Sequence, residues 1–97
     1  MRRLIVRSVA EAEIEQAHLW YAERSPEAAL HFLDEIGAIF GRIVENSDQY
    51  PEVRSQLRRA RMPSFPYGIY FTIVRDIVSV VGVVHARRHP QRWSSRS

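Results

Sequence analysis

Hydrophobic residues recur every three or four positions in the first half of the chain and form strand-like runs in the second half. Between residues 8 and 46 this spacing predicts two amphipathic helices. The pattern breaks at Ser25 and Pro26, which suit an N-cap and a first helical position, so the second helix should begin there and end near Asn46. Because so few residues join them, the helices should form an antiparallel pair.

The start of the first helix has its own signals. Residues 4–7 read as a short strand, and Ser8 and Glu11 that follow have the spacing of a capping box. This pattern predicts a helix that starts at Ser8 and runs to about Glu23.

Three β-rich runs occupy the second half of the chain. They are LRRARM at 57–62, YGIYFTIV at 67–74 and IVSVVGVVHA at 77–86, and Arg75-Asp76 makes a tight hairpin between the last two. The polar stretch 47–56 is predicted to be a loop. The order is therefore β-α-α-β-β-β in one α+β domain spanning 1–97, with an antiparallel helical hairpin on a mainly antiparallel sheet and a short flexible end at about 94–97.

Composition narrows the class of protein. The chain has 97 residues, 45% of them hydrophobic and none of them cysteine, which suits one compact domain without disulfides or thiolate-bound metals. No run approaches the roughly 18–20 apolar residues of a membrane span, and from the pattern of the first residues we expect no signal peptide. We expect a cytoplasmic protein that binds neither membrane nor cofactor. His85 and His89 lack further ligands, so no metal site is expected.

Charge is separated along the chain. The net charge is +3, and all 14 basic residues are arginine. From residue 53 onward the only acid is Asp76, whereas arginines are frequent there. Guanidinium groups form forked hydrogen bonds with carboxylates and phosphates. If these arginines share one sheet face, the partner is an acidic peptide or a nucleic acid.

The candidate binding residues combine these arginines with nearby aromatic and imidazole groups. They are Arg58, Arg59, Arg61, Tyr67, His85, Arg87, Arg88, Arg92 and Trp93. Structural roles are open for each group: strand arginines can pair with helix acids such as Glu35, and Trp93 can pack under the helices. Tyr67 and Tyr70 lie in one strand, where they alternate in position with Gly68 and Phe71. Because one face of this strand must be core, at least one tyrosine should be buried.

Three motifs together resemble the RelE/ParE family of type II toxin–antitoxin toxins, also called plasmid stabilisation proteins. They are WYAERSPEAALHFLDEI, RRARMPSFPYGIYFTIV and VVGVVHARRHPQRW, in this order. The resemblance implies a small β-α-α-β-β-β fold, a concave basic sheet face, and a hetero-oligomer with a cognate antitoxin. The antitoxin's acidic tail would place carboxylates against the arginines.

The same resemblance separates two mechanisms. Ribonuclease members cleave mRNA on the ribosome and commonly have Tyr-Arg where this chain has Tyr67-Gly68. If the chain were a ribonuclease, Arg61, His85 and Arg87 would be its catalytic residues. The ending from 85 to 90, His-x-Arg-Arg-x-Pro, resembles the ParE branch, which is described as binding DNA gyrase. A growth-inhibiting toxin that binds gyrase is therefore the favoured interpretation; a ribosome-dependent ribonuclease or a basic RNA-binding module is the alternative.

Overall fold

The structure, a computed structural model, describes residues 2–87 of the chain. These residues form two long helices, a short 3-10 helix and five strands. Their bounds are β1 (Arg3–Val6), α1 (Ser8–Arg24), α2 (Pro26–Asn46), the 3-10 helix (Ser47–Gln49), β2 (Glu52–Arg54), β3 (Leu57–Arg61), β4 (Tyr67–Val74) and β5 (Ile77–His85).

The strands form one sheet in the order β1-β5-β4-β3-β2. β1 runs parallel to β5, and every other neighbouring pair is antiparallel. Side chains from α1 and α2 share one hydrophobic core with side chains from one face of this sheet. The predicted α+β class, with a helical hairpin packed on a mainly antiparallel sheet, is confirmed.

The core explains why α2 is the more strongly amphipathic helix. Its buried side chains include Phe32 and Ile43, which have no exposed surface. Burying side chains of this size contributes about 1.5–3 kcal/mol each. Leu33 of the same helix, although apolar, is 39% exposed. The Ser25 cap is confirmed, because its Oγ accepts a hydrogen bond from the Ala28 N–H at 3.2 Å.

The first helix begins differently from the prediction. Arg7 occupies the N-cap position, its side chain forms no capping hydrogen bond, and Ser8 is already helical. The capping box of Ser8 and Glu11 was therefore wrong. The preceding strand also lies one residue earlier than predicted, since its pairing with β5 runs from Arg3 to Val6.

A fifth strand lies inside the segment that was predicted to be a loop. β2 has three residues, all exposed, and pairs with β3 through an irregular register. A three-residue strand without a buried face has no alternation of polar and apolar residues, so hydrophobic periodicity cannot detect it. The 3-10 helix before it also falls in this predicted loop.

The β4–β5 hairpin is confirmed and contains two irregularities. Arg75 in its turn has a φ of 59°, the left-handed conformation that two-residue hairpins require. Farther along, Tyr70 pairs with Gly82 but Phe71 pairs with Val80, so Val81 is an extra residue on β5. Such a bulge bends the strand and changes the direction of the residues that follow.

The exposed side of α2 carries two glycines without tight neighbours. A Cβ added at Gly37 or Gly41 would have nothing within 4 Å. Close packing on that side is therefore not the reason for these glycines. Over residues 2–87, neither helix is long and apolar enough to cross a membrane.

Candidate functional site

Strand alternation divides the arginines of β3 between two faces of the sheet. Ala60 is buried in the core and pairs with Ile69, which is also buried there. Since neighbouring residues in a strand point to opposite faces, Arg59 and Arg61 lie on the face opposite the helices, here called the outer face. Two of the predicted arginines thus share one surface.

The register with β4 places a glycine beneath these arginines. Gly68 pairs with Arg61, and Tyr70 pairs with Arg59. A Cβ at Gly68 would come within 3.1 Å of Tyr70 Cε1 and 3.2 Å of Arg59 Cδ. The Arg59 side chain and the Tyr70 ring therefore lie so close to the Gly68 backbone that the Cβ of any other residue would crowd both of them.

A pocket of about 260 Å³ opens beside this glycine. Its lining combines two arginines with apolar and aromatic side chains and contains no carboxylate. The lining residues are Arg59, Arg61, Met62, Phe65, Pro66, Tyr67, Gly68, Tyr70 and Ala86. We call it the arginine pocket; its size suits one side chain or one small anionic group.

The loop between β3 and β4 forms one wall of the arginine pocket and is anchored to the helices. The Phe65 ring lies 5.0 Å from Tyr21, 5.3 Å from Phe32 and 5.2 Å from the His31 ring, measured between centroids. Beside it, the Ser64 N–H donates to Glu35 Oε1 at 2.9 Å. These contacts hold the wall in place, so the pocket is largely preformed.

Neither arginine of the pocket is neutralised by the part of the chain that the structure describes. Within the described residues, no carboxylate forms an ion pair with Arg59 or Arg61. The Arg59 Nε–H is buried and has no hydrogen-bond acceptor in this part of the chain. An unsatisfied buried donor costs about 1–3 kcal/mol. The arrangement is therefore suited to an anionic group that brings its own acceptors.

Arg58 occupies a different position from its two neighbours. It pairs with the buried residue Phe71. Its Nη1 donates to the carbonyl oxygens of Tyr50 at 2.6 Å and Asp48 at 3.0 Å, and Glu52 lies 3.4 Å from Nη2. Arg58 thus ties β3 to the segment after α2 and is not brought together with Arg59 and Arg61. The open alternative, in which strand arginines pair with helix acids such as Glu35, is not found within residues 2–87, where Glu35 contacts Ser64 and His31.

The remaining predicted residues lie at the start of β4 and at or beyond the end of β5, which is paired with it. Tyr67 is buried and lines the pocket, and the His85 ring packs against it with centroids 5.2 Å apart. His85 Nδ1 accepts a hydrogen bond from the Arg87 N–H at 3.1 Å, and the Arg87 side chain is exposed. Arg88, Arg92, Trp93 and the end at 94–97 lie outside the described residues.

A second surface lies between the helices. A groove of about 420 Å³ has apolar walls from Val6, Ile14 and Leu33, and Glu11, Glu15 and His18 complete it. Nearby on α2, Leu30 is 65% exposed. The molecule thus offers an acidic, partly apolar groove on its helical side and a basic pocket on the outer face. Within residues 2–87, no group of three or more acidic or histidine side chains could hold a metal ion.

Comparison with known proteins assigns this arrangement to a family. Residues 4–90 match the family described as the ParE toxin of the type II toxin–antitoxin system parDE. The chain belongs to the ParE toxin family. A solved structure, the chromosomal ParDE toxin–antitoxin system from P. aeruginosa, has the same fold with a TM-score of 0.79 at 16% identity. The match covers 90% of this chain and 98% of that one. The comparison with curated proteins gives no match.

Sequence reasoning missed several residues that shape the pocket of this ParE-family toxin. Residues 63–66 belong to none of the predicted elements, although an aromatic residue between two prolines is a signal for a rigid, packed loop. Gly68 was interpreted only as a missing arginine. Outside the pocket lining, the buried carboxylate of Glu13 was also missed, because it lies among other helix acids in the sequence and has no distinguishing signal.

Proposed function

We propose that a cognate antitoxin with an acidic tail neutralises this ParE-family toxin, and that the toxin inhibits growth by binding a target such as DNA gyrase. Membership of the ParE family supports a toxin with an antitoxin partner. The P. aeruginosa structure of the same fold is that of a ParDE toxin–antitoxin system, which is consistent with such a pair. The observation that carries the proposal is the arginine pocket, whose two cations have no acidic partner in the described chain.

The pocket favours carboxylates from a protein over the phosphates of a nucleic acid. Proteins that bind a strand of nucleic acid place a row of cationic side chains along its phosphate backbone. Next to the pocket, the outer face continues with Gly82, Thr72 and Ser79, which are uncharged. The apolar walls at Met62 and Phe65 suit the hydrocarbon part of a peptide. An acidic peptide segment that folds on binding would supply both carboxylates for the arginines and hydrocarbon groups for these walls.

Binding is also favoured over RNA cleavage. Cleavage requires cationic groups and acid–base groups arranged around one phosphorus. The position at which ribonuclease members commonly have an arginine is Gly68 here, and it lies directly opposite Arg61. Within residues 2–87, the site therefore lacks the cation that such a mechanism places at this position.

Expression of the chain alone should arrest growth of a bacterial host, and co-expression of the small acidic protein encoded beside it should restore growth. Purified toxin should inhibit gyrase supercoiling and leave ribosome-bound mRNA intact. Cutting of mRNA in a translating extract would assign the ribonuclease mechanism instead. No arrest despite soluble expression would count against a toxin.

The arginines can be tested separately from the fold. Arg59→Gln with Arg61→Gln should weaken antitoxin binding, and Arg87→Ala with Arg88→Ala should reduce toxicity, with native circular dichroism in both. Arg42→Gln is the matched control, since this exposed arginine lies on α2. Unchanged antitoxin binding by the folded Arg59/Arg61 variant would show that the antitoxin does not use the arginine pocket, and would favour the groove between the helices as the interface.

A further inference from the structure

The last part of β5 extends beyond its partner strand. β1 pairs with β5 from Ile77 to Val80, and its final contact is the Arg7 N–H donating to the Val80 oxygen at 2.9 Å. β5 continues to His85. Over its last residues, the edge that faced β1 therefore has no neighbouring strand in the described chain.

The hydrogen-bonding phase of the β4–β5 ladder shows which groups point to this edge. The Ala86 N–H donates to the Pro66 oxygen at 2.7 Å, which makes that opposed pair a hydrogen-bonded one. Hydrogen-bonded and non-hydrogen-bonded pairs alternate in antiparallel sheets. The pair of Ile69 and Val83 is therefore non-hydrogen-bonded, and the Val83 N–H points away from β4 toward the unpaired edge.

A helix carboxylate takes the place of the missing strand. The Val83 N–H donates to Glu13 Oε1 at 2.9 Å. Glu13 is 8% exposed and lies on the buried face of α1 between Ala10 and Ala17. It is the only acidic side chain classed as buried in the described chain. A carboxylate in the core is costly unless it is hydrogen-bonded, and the Val83 N–H supplies such a hydrogen bond to Glu13.

We propose that Glu13 is a positioning residue for the arginine pocket, because it fixes the end of β5 after the bulge. The residues that follow Val83 bring His85 against Tyr67 and place Ala86 in the pocket lining. The inference rests on the proposed function only in treating this pocket as a partner site.

The bulge explains why such a residue is needed. An extra residue such as Val81 gives β5 an alternative register, and a slip by one residue would exchange the faces of all side chains beyond it. After that slip, the Val83 N–H would face β4, and the nearest edge donors would lie about 3.3 Å away along the strand. Glu13 therefore stabilises the register that holds His85 on Tyr67.

The test compares Glu13→Gln, which keeps an acceptor oxygen, with Glu13→Leu, which removes it. Amide hydrogen exchange at Val83 relative to Val78, and the NMR contact between the His85 and Tyr67 rings, are measured without any partner. Glu13→Leu should accelerate Val83 exchange about tenfold relative to Val78 and weaken that ring contact, since it leaves a backbone donor without an acceptor. Glu13→Gln should restore both, and Glu23→Ala, at an exposed position of α1 outside both pockets, should change neither.

Antitoxin affinity is then measured for the same variants. It should fall about tenfold in Glu13→Leu, which corresponds to one lost hydrogen bond, and recover in Glu13→Gln. A protected Val83 and an intact ring contact in Glu13→Leu would overturn the proposal, as would equal losses in both Glu13 variants. If Glu13→Leu does not fold, rapid Val83 exchange in the unaltered protein would overturn it. Normal exchange effects with no antitoxin binding by any variant would instead refute the proposed function.

Discussion

Gly68→Ala probes the floor of the arginine pocket with a single methyl group. The new Cβ would lie 3.1 Å from Tyr70 Cε1 and 3.2 Å from Arg59 Cδ, closer than the roughly 3.5–4.0 Å of optimal carbon contacts. Both neighbours are half-buried side chains, and the flexible Arg59 chain can move by a few tenths of an ångström. The expected strain is therefore about 1 kcal/mol, the lower end of the cost of overpacking.

The backbone term has the opposite sign. Alanine in a strand interior is favoured over glycine by about 0.5–1 kcal/mol, because glycine loses more conformational freedom on folding. The free energy of unfolding of Gly68→Ala should thus stay within about 1 kcal/mol of the unaltered protein. Antitoxin affinity should nevertheless fall about tenfold, since displacement of Arg59 weakens a charged hydrogen bond by about 1.4 kcal/mol.

Urea unfolding and calorimetric titration with the antitoxin measure these two quantities. Gly41→Ala is the matched control: a Cβ there meets nothing within 4 Å, so this helix substitution should stabilise by about 1 kcal/mol and leave binding unchanged. A loss in the free energy of unfolding above about 3 kcal/mol would show that Arg59 and Tyr70 cannot shift to accommodate the new Cβ. Unchanged affinity would show that the partner does not use the pocket.

Two further substitutions test other parts of the structure. Arg58→Ala should lower the free energy of unfolding by about 1–3 kcal/mol, because it leaves the Asp48 and Tyr50 carbonyls without their donor, whereas exposed Arg61→Ala should cost less than about 0.5 kcal/mol; equal losses in urea unfolding would contradict this division of roles. Ser25→Ala should cost about 1 kcal/mol through loss of the cap on α2, and an unchanged thermal midpoint would contradict it.

The helices and the β4–β5 hairpin could be predicted because their signals are local. The second helix has a cap, a proline and an apolar stripe within one segment, and the structure confirms its bounds at Pro26–Asn46. The pairing of β1 with β5 could not be predicted in the same way. Residues 3 and 77 meet across the whole domain, and neither strand's composition specifies a partner or a parallel direction.

The division of the arginines could not be predicted from β3 itself. Leu57 and Ala60 are both buried, yet they lie three residues apart and so face opposite sides of the strand. Two apolar residues on opposite faces do not indicate which face belongs to the core. The register with β4 decides it, by pairing Ala60 with Ile69, and only then do Arg59 and Arg61 separate from Arg58.

Gly68 links the missing ribonuclease arginine to the shape of the pocket. Any side chain at this position begins with a Cβ in the space that Tyr70 and the Arg59 stem now border. An arginine there would therefore add a cation only by moving Arg59, whose Nε–H is already buried without an acceptor among the described residues. The observed packing of Arg59 against Gly68 and an arginine at position 68 would therefore occupy the same space. On the proposed function, the missing ribonuclease arginine and the close approach of Arg59 to Gly68 therefore have the same structural cause.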